Sequence, residues 1–227
     1  MIAIKAFASA LLASLAVAQS TLRYMPFGDS ITEITCWRAL LWEMLQNTDY
    51  ATTDFVGSGT TDIGCGDTNY DRDNEGHSGF LAIDIANSGE LVGWLQNNPA
   101  DVISMHLGTN DIVQQNKPTD QIIDAFTTLV GVMRSSNPAV KVIVAQIIPL
   151  GIGNYNTAVQ DLNQAIATWA QGLSSTESPI LVVDQYTGFD AATDLRDGIH
   201  PNAAGDEKMA NVWYPALVQA LGDVSAD

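Results

Sequence analysis

The chain has 227 residues, 46% of them apolar, enough to bury a sizeable core within one domain. Its formal net charge is −17, from 26 acidic residues against 9 lysines and arginines, yet only 15% of its residues are charged. That balance excludes a disordered acid tract. It also disfavours nucleic acid and anionic membrane as partners, since both need clustered cations, whereas an uncharged substrate meets no such penalty.

Residues 1–18 read as a secretory signal peptide. Lys5 supplies the positive start, Phe7 to Ala16 the apolar stretch, and Ala16-Val17-Ala18 the small-x-small cleavage pattern. The run is too short and alanine-rich to span a bilayer well. The expected product is a secreted, extracellular protein whose residues 19–227 form a single domain. Strands and helices then alternate. Leu22 to Phe27 reads as the first strand, Trp37 to Gln46 as the first helix and Asp54 to Gly57 as a short second strand. A polar loop rich in Gly, Asp and Asn follows, from Ser58 to Ser78. Ala82 to Leu95 has helical spacing and stops at Asn97-Asn98-Pro99. Val102 to Leu107 reads as the third strand, Asp120 to Met133 as a helix, and Val140 to Ile148 as the fourth strand, ended by Pro149. Tyr155 to Leu173 is a long helix, Ile180 to Val183 the fifth strand, and Ala203 to Leu221 a last helix that Pro215 should kink or break. Alternation of this kind implies a parallel sheet covered on both faces. The expectation is a three-layer α/β/α sandwich, flavodoxin-like, with five strands in the order 2-1-3-4-5.

Four segments each follow a strand or open a loop at the expected active face, and ligands bind at the carboxyl ends of strands in such a fold. In Gly28-Asp29-Ser30, Gly28 lets the chain turn sharply and Ser30 is presented as a nucleophile, although Asp29 and Ser30 could simply cap a helix. In Gly76-His77-Ser78-Gly79-Phe80, Gly79 lacks a Cβ, so its N–H can approach an oxyanion. Ser78 is the rival nucleophile there, but a nucleophile elbow needs glycine where this chain has Phe80. In Gly108-Thr109-Asn110-Asp111, the Asn110 carboxamide can donate to an oxyanion, and Asp111 reads as a loop-holding residue. In Asp197-x-x-His200, the offset lets Asp197 accept a proton from one imidazole nitrogen and leaves the other as a base for Ser30. An unperturbed imidazole has a pKa of about 6.5, close to working pH. Of the other histidines, His106 reads as a satisfied core residue of the third strand and His77 as a pocket-lining one. The two cysteines, Cys36 and Cys65, fall in segments expected on the same face of the sheet, and an even pair in a secreted chain favours a disulfide.

Together these segments resemble the blocks of the SGNH, or GDSL-like, hydrolase superfamily: Ser30 in Gly-Asp-Ser, then Gly79, Asn110 and His200, in order. The resemblance implies Ser30 as nucleophile, His200 as base and Asp197 as its orienting partner. It implies an oxyanion hole from the Ser30 and Gly79 N–H groups and the Asn110 side chain. Met25-Pro26-Phe27-Gly28-Asp29-Ser30-Ile31-Thr32, Cys36-Trp37-Arg38 and Asp73-Asn74-Glu75-Gly76-His77-Ser78-Gly79 look more narrowly like carbohydrate esterase family 3, whose members deacetylate xylan and related sugars. Glu33-Ile34-Thr35 departs from that family's usual wording. Trp37 and Arg38 either shape the pocket or pack the first helix.

The implied function is hydrolysis of acetyl esters of xylan or related acetylated sugars through a serine acyl-enzyme. No cofactor or metal is expected, and a monomer is. Asp67-x-Asn69-x-Asp71-x-Asp73 alternates oxygen ligands, but it lacks the glycine of a calcium loop and reads as a solvated acidic loop. A lipase or thioesterase acting on other acyl esters is the alternative among enzymes. A non-catalytic carbohydrate-binding module is the alternative outside them.

Overall fold

The computed structural model describes residues 21–66 and 69–226, so the expected signal peptide and Asp67 lie outside the described residues. Six strands form one parallel sheet: β1 Arg23–Gly28, β2 Asp54–Phe55, β3 Glu75–Gly76, β4 Val102–His106, β5 Lys141–Gln146 and β6 Ile180–Asp184. The order is β2-β1-β4-β5-β6, with β3 also on β1. Leaving β3 aside, this is the expected 2-1-3-4-5. The helices are α1 Ser30–Glu33, α2 Trp37–Leu45, α3 Ala82–Ser88, α4 Glu90–Asn97, α5 Thr109–Gln115, α6 Thr119–Ser136, α7 Asn156–Leu173 and α8 Ala203–Ala226.

Successive strand residues point to opposite faces, so a strand covered on both sides is apolar throughout. In β5, Val142 and Val144 join Phe126, Met133, Leu162 and Ile166 beneath α6 and α7. Ile143 and Ala145 point the other way, onto Trp213 and Leu217 of α8 and the residues of α2. Each fully buried large apolar side chain of this kind contributes about 2 kcal/mol relative to exposure.

The outer edge of β1 is covered in two instalments. β2 pairs with Arg23 and Tyr24, and β3 pairs with Phe27 and Gly28. Between β2 and β3 the chain makes an excursion, closed at its neck by a bridge between Gly59 and Asn74. The expected loop from Ser58 to Ser78 is thus interrupted by a strand. Pro26 explains the gap. The carbonyls of Tyr24 and Gly28 face this edge, accepting from the N–H groups of Val56 and His77. By alternation the nitrogen of Pro26 faces it too, with no hydrogen to give.

Two further departures have local causes. The helix expected from Ala82 to Leu95 is two helices, because Gly89 takes a left-handed conformation (φ 71°) and ends α3. α8 runs unbroken through Pro215, so the missing N–H is absorbed within a continuous helix.

Candidate active site

β1 sits between β2 and β4, so the crevice above β1 and β4 is where the sheet's winding reverses. Chains leaving β1, β3 and β4 deliver Ser30, Gly79 and Asn110 to that rim. The fourth contribution comes from the loop between β6 and α8. There Leu195 and Pro201 bridge, Arg196 N–H donates to the His200 carbonyl, and Asn202 caps the first N–H groups of α8. Gly198 is left-handed (φ 85°), and a Cβ on it would lie 2.5 Å from Ile152 Cγ2. Only glycine lets this loop fold tightly enough to aim Asp197 and His200 the same way.

Ser30 opens α1. Asp29 caps it, its Oδ1 accepting from the Ile31 N–H at 2.9 Å. The Ser30 hydroxyl lies 2.8 Å from His200 Nε2, and His200 Nδ1 lies 2.7 Å from Asp197 Oδ2. Asp197 Oδ1 accepts the backbone N–H groups of His200 and Ile199 at 2.8 and 3.0 Å. Burial alone would raise the Asp197 pKa. The His200 N–H, the imidazole and the Ile199 N–H outweigh it and hold the carboxyl down at about 2. Asp197 is therefore ionised at neutral pH and fixes Nδ1 as the protonated nitrogen, so Nε2 is free to accept from Ser30.

On the opposite side of Ser30, the backbone N–H groups of Ser30 and Gly79 have no acceptor among the described residues. Asn110 Nδ2 donates to the Phe80 carbonyl at 3.0 Å and lies 3.4 Å from Asp29 Oδ2. Asp29 is fully buried, and that burial, aided by the charge of Asp111, raises its pKa to about 7 despite the Ile31 N–H. The backbone N–H groups of Ser30 and Gly79 are thus left for an acceptor from outside the chain, beside a hydroxyl whose partner is an imidazole.

The remaining candidates take other places. Ser78 has a carboxylate for a partner rather than an imidazole: its Oγ and N–H both donate to Glu33 Oε2, at 2.5 and 2.8 Å. Burial raises the Glu33 pKa, but the Ser78 hydroxyl and N–H, Thr61 and His77 together bring it below the ordinary value. His77 stacks on Trp94 and Phe80 and is 2.7 Å from the buried Glu75. His106 is buried as expected, but neither ring nitrogen has a partner among the described residues. Asp111 accepts the N–H groups of Ala82 and Ile83 and so holds the start of α3. Trp37 is buried against Trp213, and Arg38 donates to the carbonyls of Thr32, Glu33, Thr61 and Arg72. Both serve packing and loop anchoring. Cys36 and Cys65 are joined in a disulfide. Asp71, from the acidic loop, spends its oxygens on the N–H groups of Phe55 and Asp73.

Two residues at the site were not foreseen. Glu33 closes α1, one turn after Ser30. Gln114 lies one turn after Asn110, and donates to both Asn110 Oδ1 and the Gly79 carbonyl at 2.9 Å. The i,i+4 offset would have exposed it had α5 been anticipated.

Residues 27–208 match the family model described as GDSL-like Lipase/Acylhydrolase family. An acetyl esterase crystallised as a serine-to-alanine mutant with acetate ion is 39% identical, with a TM-score of 0.85, across 90% of this chain and 100% of that one. A carbohydrate esterase family 3 structure from Talaromyces cellulolyticus is also 39% identical, TM-score 0.85, over 89% and 99% of the two chains. A family 3 carbohydrate esterase of Clostridium thermocellum reaches 28% and 0.74 over 88% and 98%. A multidomain esterase of Ruminococcus flavefaciens is 30% identical over 228 residues, and the match spans 89% of this chain but only 29% of that relative's length. With sequence model, identity and fold in agreement, the chain belongs to the GDSL-like lipase/acylhydrolase family of esterases, and within it to carbohydrate esterase family 3.

Proposed function

We propose that the chain is a secreted serine esterase that removes acetyl groups from xylan or related acetylated sugars. The observation that carries the reading is the unbroken relay from the Ser30 hydroxyl through His200 to Asp197. His200 Nε2 takes the Ser30 proton as Oγ attacks the acetyl carbonyl, and Asp197 stabilises the imidazolium. The Ser30 and Gly79 N–H groups and Asn110 Nδ2 receive the oxyanion. Collapse of the tetrahedral species breaks the bond to the sugar oxygen, which leaves with the proton held on His200. Water then gives a proton to Nε2, attacks the acetyl-enzyme, and releases acetate and Ser30. These steps balance with no metal or cofactor, in a monomer.

The acetyl preference draws on the acetate-bound acetyl esterase and the family 3 carbohydrate esterases that this chain resembles. Secretion draws on the composition of residues 1–18 and on the Cys36–Cys65 disulfide, a bond that persists in oxidising compartments. The test is release of acetate from acetylated xylan, beside 4-nitrophenyl acetate and longer acyl esters. Ser30→Ala should lose about 10³-fold or more in kcat with an unchanged circular dichroism spectrum. Full turnover in that variant would remove Ser30 from the chemistry. A strong preference for long acyl chains would replace the sugar deacetylase by a lipase.

A further inference from the structure

A carboxamide serves as an oxyanion donor only one way round. With nitrogen forward it stabilises the developing charge, and with oxygen forward it repels it. At Asn110 the Phe80 carbonyl and Asp29 accept from Nδ2, and the oxygen is held by Gln114, whose Nε2 donates to Asn110 Oδ1 and to the Gly79 carbonyl, both at 2.9 Å. One nitrogen thus ties together the carboxamide and the peptide that carry two of the three donors. With its oxygen held by Gln114, Asn110 turns Nδ2 towards the Phe80 carbonyl and Asp29. Gly79 is left-handed (φ 82°), and the place its Cβ would occupy is 3.9 Å from Gln114 Nε2. The neighbouring residue is held from the other side, where Glu33 Oε2 accepts both the N–H and the hydroxyl of Ser78. Residues 78, 79 and 80 are therefore gripped in turn by Glu33, Gln114 and Asn110.

We propose that Gln114 is a positioning residue that locks Gly79 and Asn110 into one oxyanion-binding unit by fixing which end of the Asn110 carboxamide faces the substrate. The inference rests on the reading of Gly79 and Asn110 given under Proposed function. Gln114 is exposed at the rim, so substituting it leaves the core intact.

Steady-state kinetics on 4-nitrophenyl acetate test it, using Gln114→Met, Gln114→Glu, Asn110→Ala and the Gln114→Met/Asn110→Ala double variant, each checked for unchanged melting. Gln114→Met keeps the side chain's length and removes its donors. It should lower kcat about tenfold with KM within about twofold, the mark of a misplaced transition-state donor. Gln114→Glu turns the donor into an acceptor and draws the Asn110 amide round to present its oxygen, so it should lose about 100-fold. With Asn110 already replaced by Ala, Gln114→Met should cost less than about threefold, because its principal target is gone. Wild-type kcat in both Gln114 variants, with Asn110→Ala slow, would overturn this proposal alone. An equal loss from Gln114→Met with and without Asn110 would also overturn it, since Gln114 would then act on the fold. Wild-type kcat in Asn110→Ala would overturn the oxyanion reading and this proposal with it.

Discussion

His106 ends β4 fully enclosed, with no partner for either ring nitrogen among the described residues, and that burial lowers its pKa to about 4. The unfolded chain takes up a proton at about pH 6.5, the folded one only near 4. Stability carried by neutral His106 is therefore complete above about pH 6.5 and is lost as the pH falls towards 4. Between pH 7 and 5 the loss should be about 2 kcal/mol. Chemical denaturation of wild type and His106→Gln at both pH values checks it: the difference between them should change by that amount, in favour of the variant at pH 5. The comparison is needed because Asp29 works in the opposite sense. Its folded pKa of about 7 means that its contribution declines as the pH rises from about 4 to 7. Other residues show what sequence reading reaches. The meeting of Ser30 with His200 was legible in Gly-Asp-Ser and Asp-x-x-His. Gly28 was legible for the wrong reason: a Cβ there would meet Thr32 Oγ1 at 2.2 Å and the His106 carbonyl at 2.7 Å, so the requirement is space rather than a sharp turn. Glu33 stood out only as a departure in wording and Gln114 only through an unanticipated helix, because their further partners lie 45 and 35 residues away.

Among the elements, those with long apolar runs were legible, since a buried parallel strand and an amphipathic helix each impose a period on the chain. β3 and α1, of two and four residues, are too short to show a period. α5 was concealed because Asn110 and Asp111 suit a turn as readily as a helix start. The excursion between β2 and β3 is the element most dependent on non-local ties. It is held by the Arg38 guanidinium, which reaches the carbonyls of Thr61 and Arg72, and by the bond from Cys65 to Cys36 at the start of α2. The cysteines are 29 residues apart, and closing a loop of that length restricts the unfolded chain by about 3.6 kcal/mol. Replacing both by serine should lower the unfolding free energy by about that amount, read from the denaturation midpoint at constant slope. Arg38, Glu33 and Glu75 should keep the loop near its place in the native state, so kcat should fall by less than about threefold. A complete loss of turnover would show that the bond itself shapes the pocket.

At the scale of the molecule, a net charge of −17 is a self-repulsion that added salt screens. The melting midpoint should rise by about 2–5 °C between 0.01 and 0.15 M sodium chloride, measured calorimetrically. Over the same range kcat/KM for a neutral acetyl ester should stay level, because an uncharged substrate is not steered by the field; a steep fall would reveal an electrostatic contribution to its capture. The hydroxyl and imidazole that meet at 2.8 Å stand 170 residues apart in the chain. No amino-terminal fragment that stops short of the loop before α8 contains the imidazole that meets Ser30. With Ser30 and His200 acting as proposed, a growing or clipped polypeptide should be inert towards esters, and turnover should begin only when the carboxy-terminal segment has docked. Two halves expressed separately, divided at the turn between α6 and β5, would recover hydrolysis only by reassociating, so the rate of ester cleavage doubles as a clock for complementation.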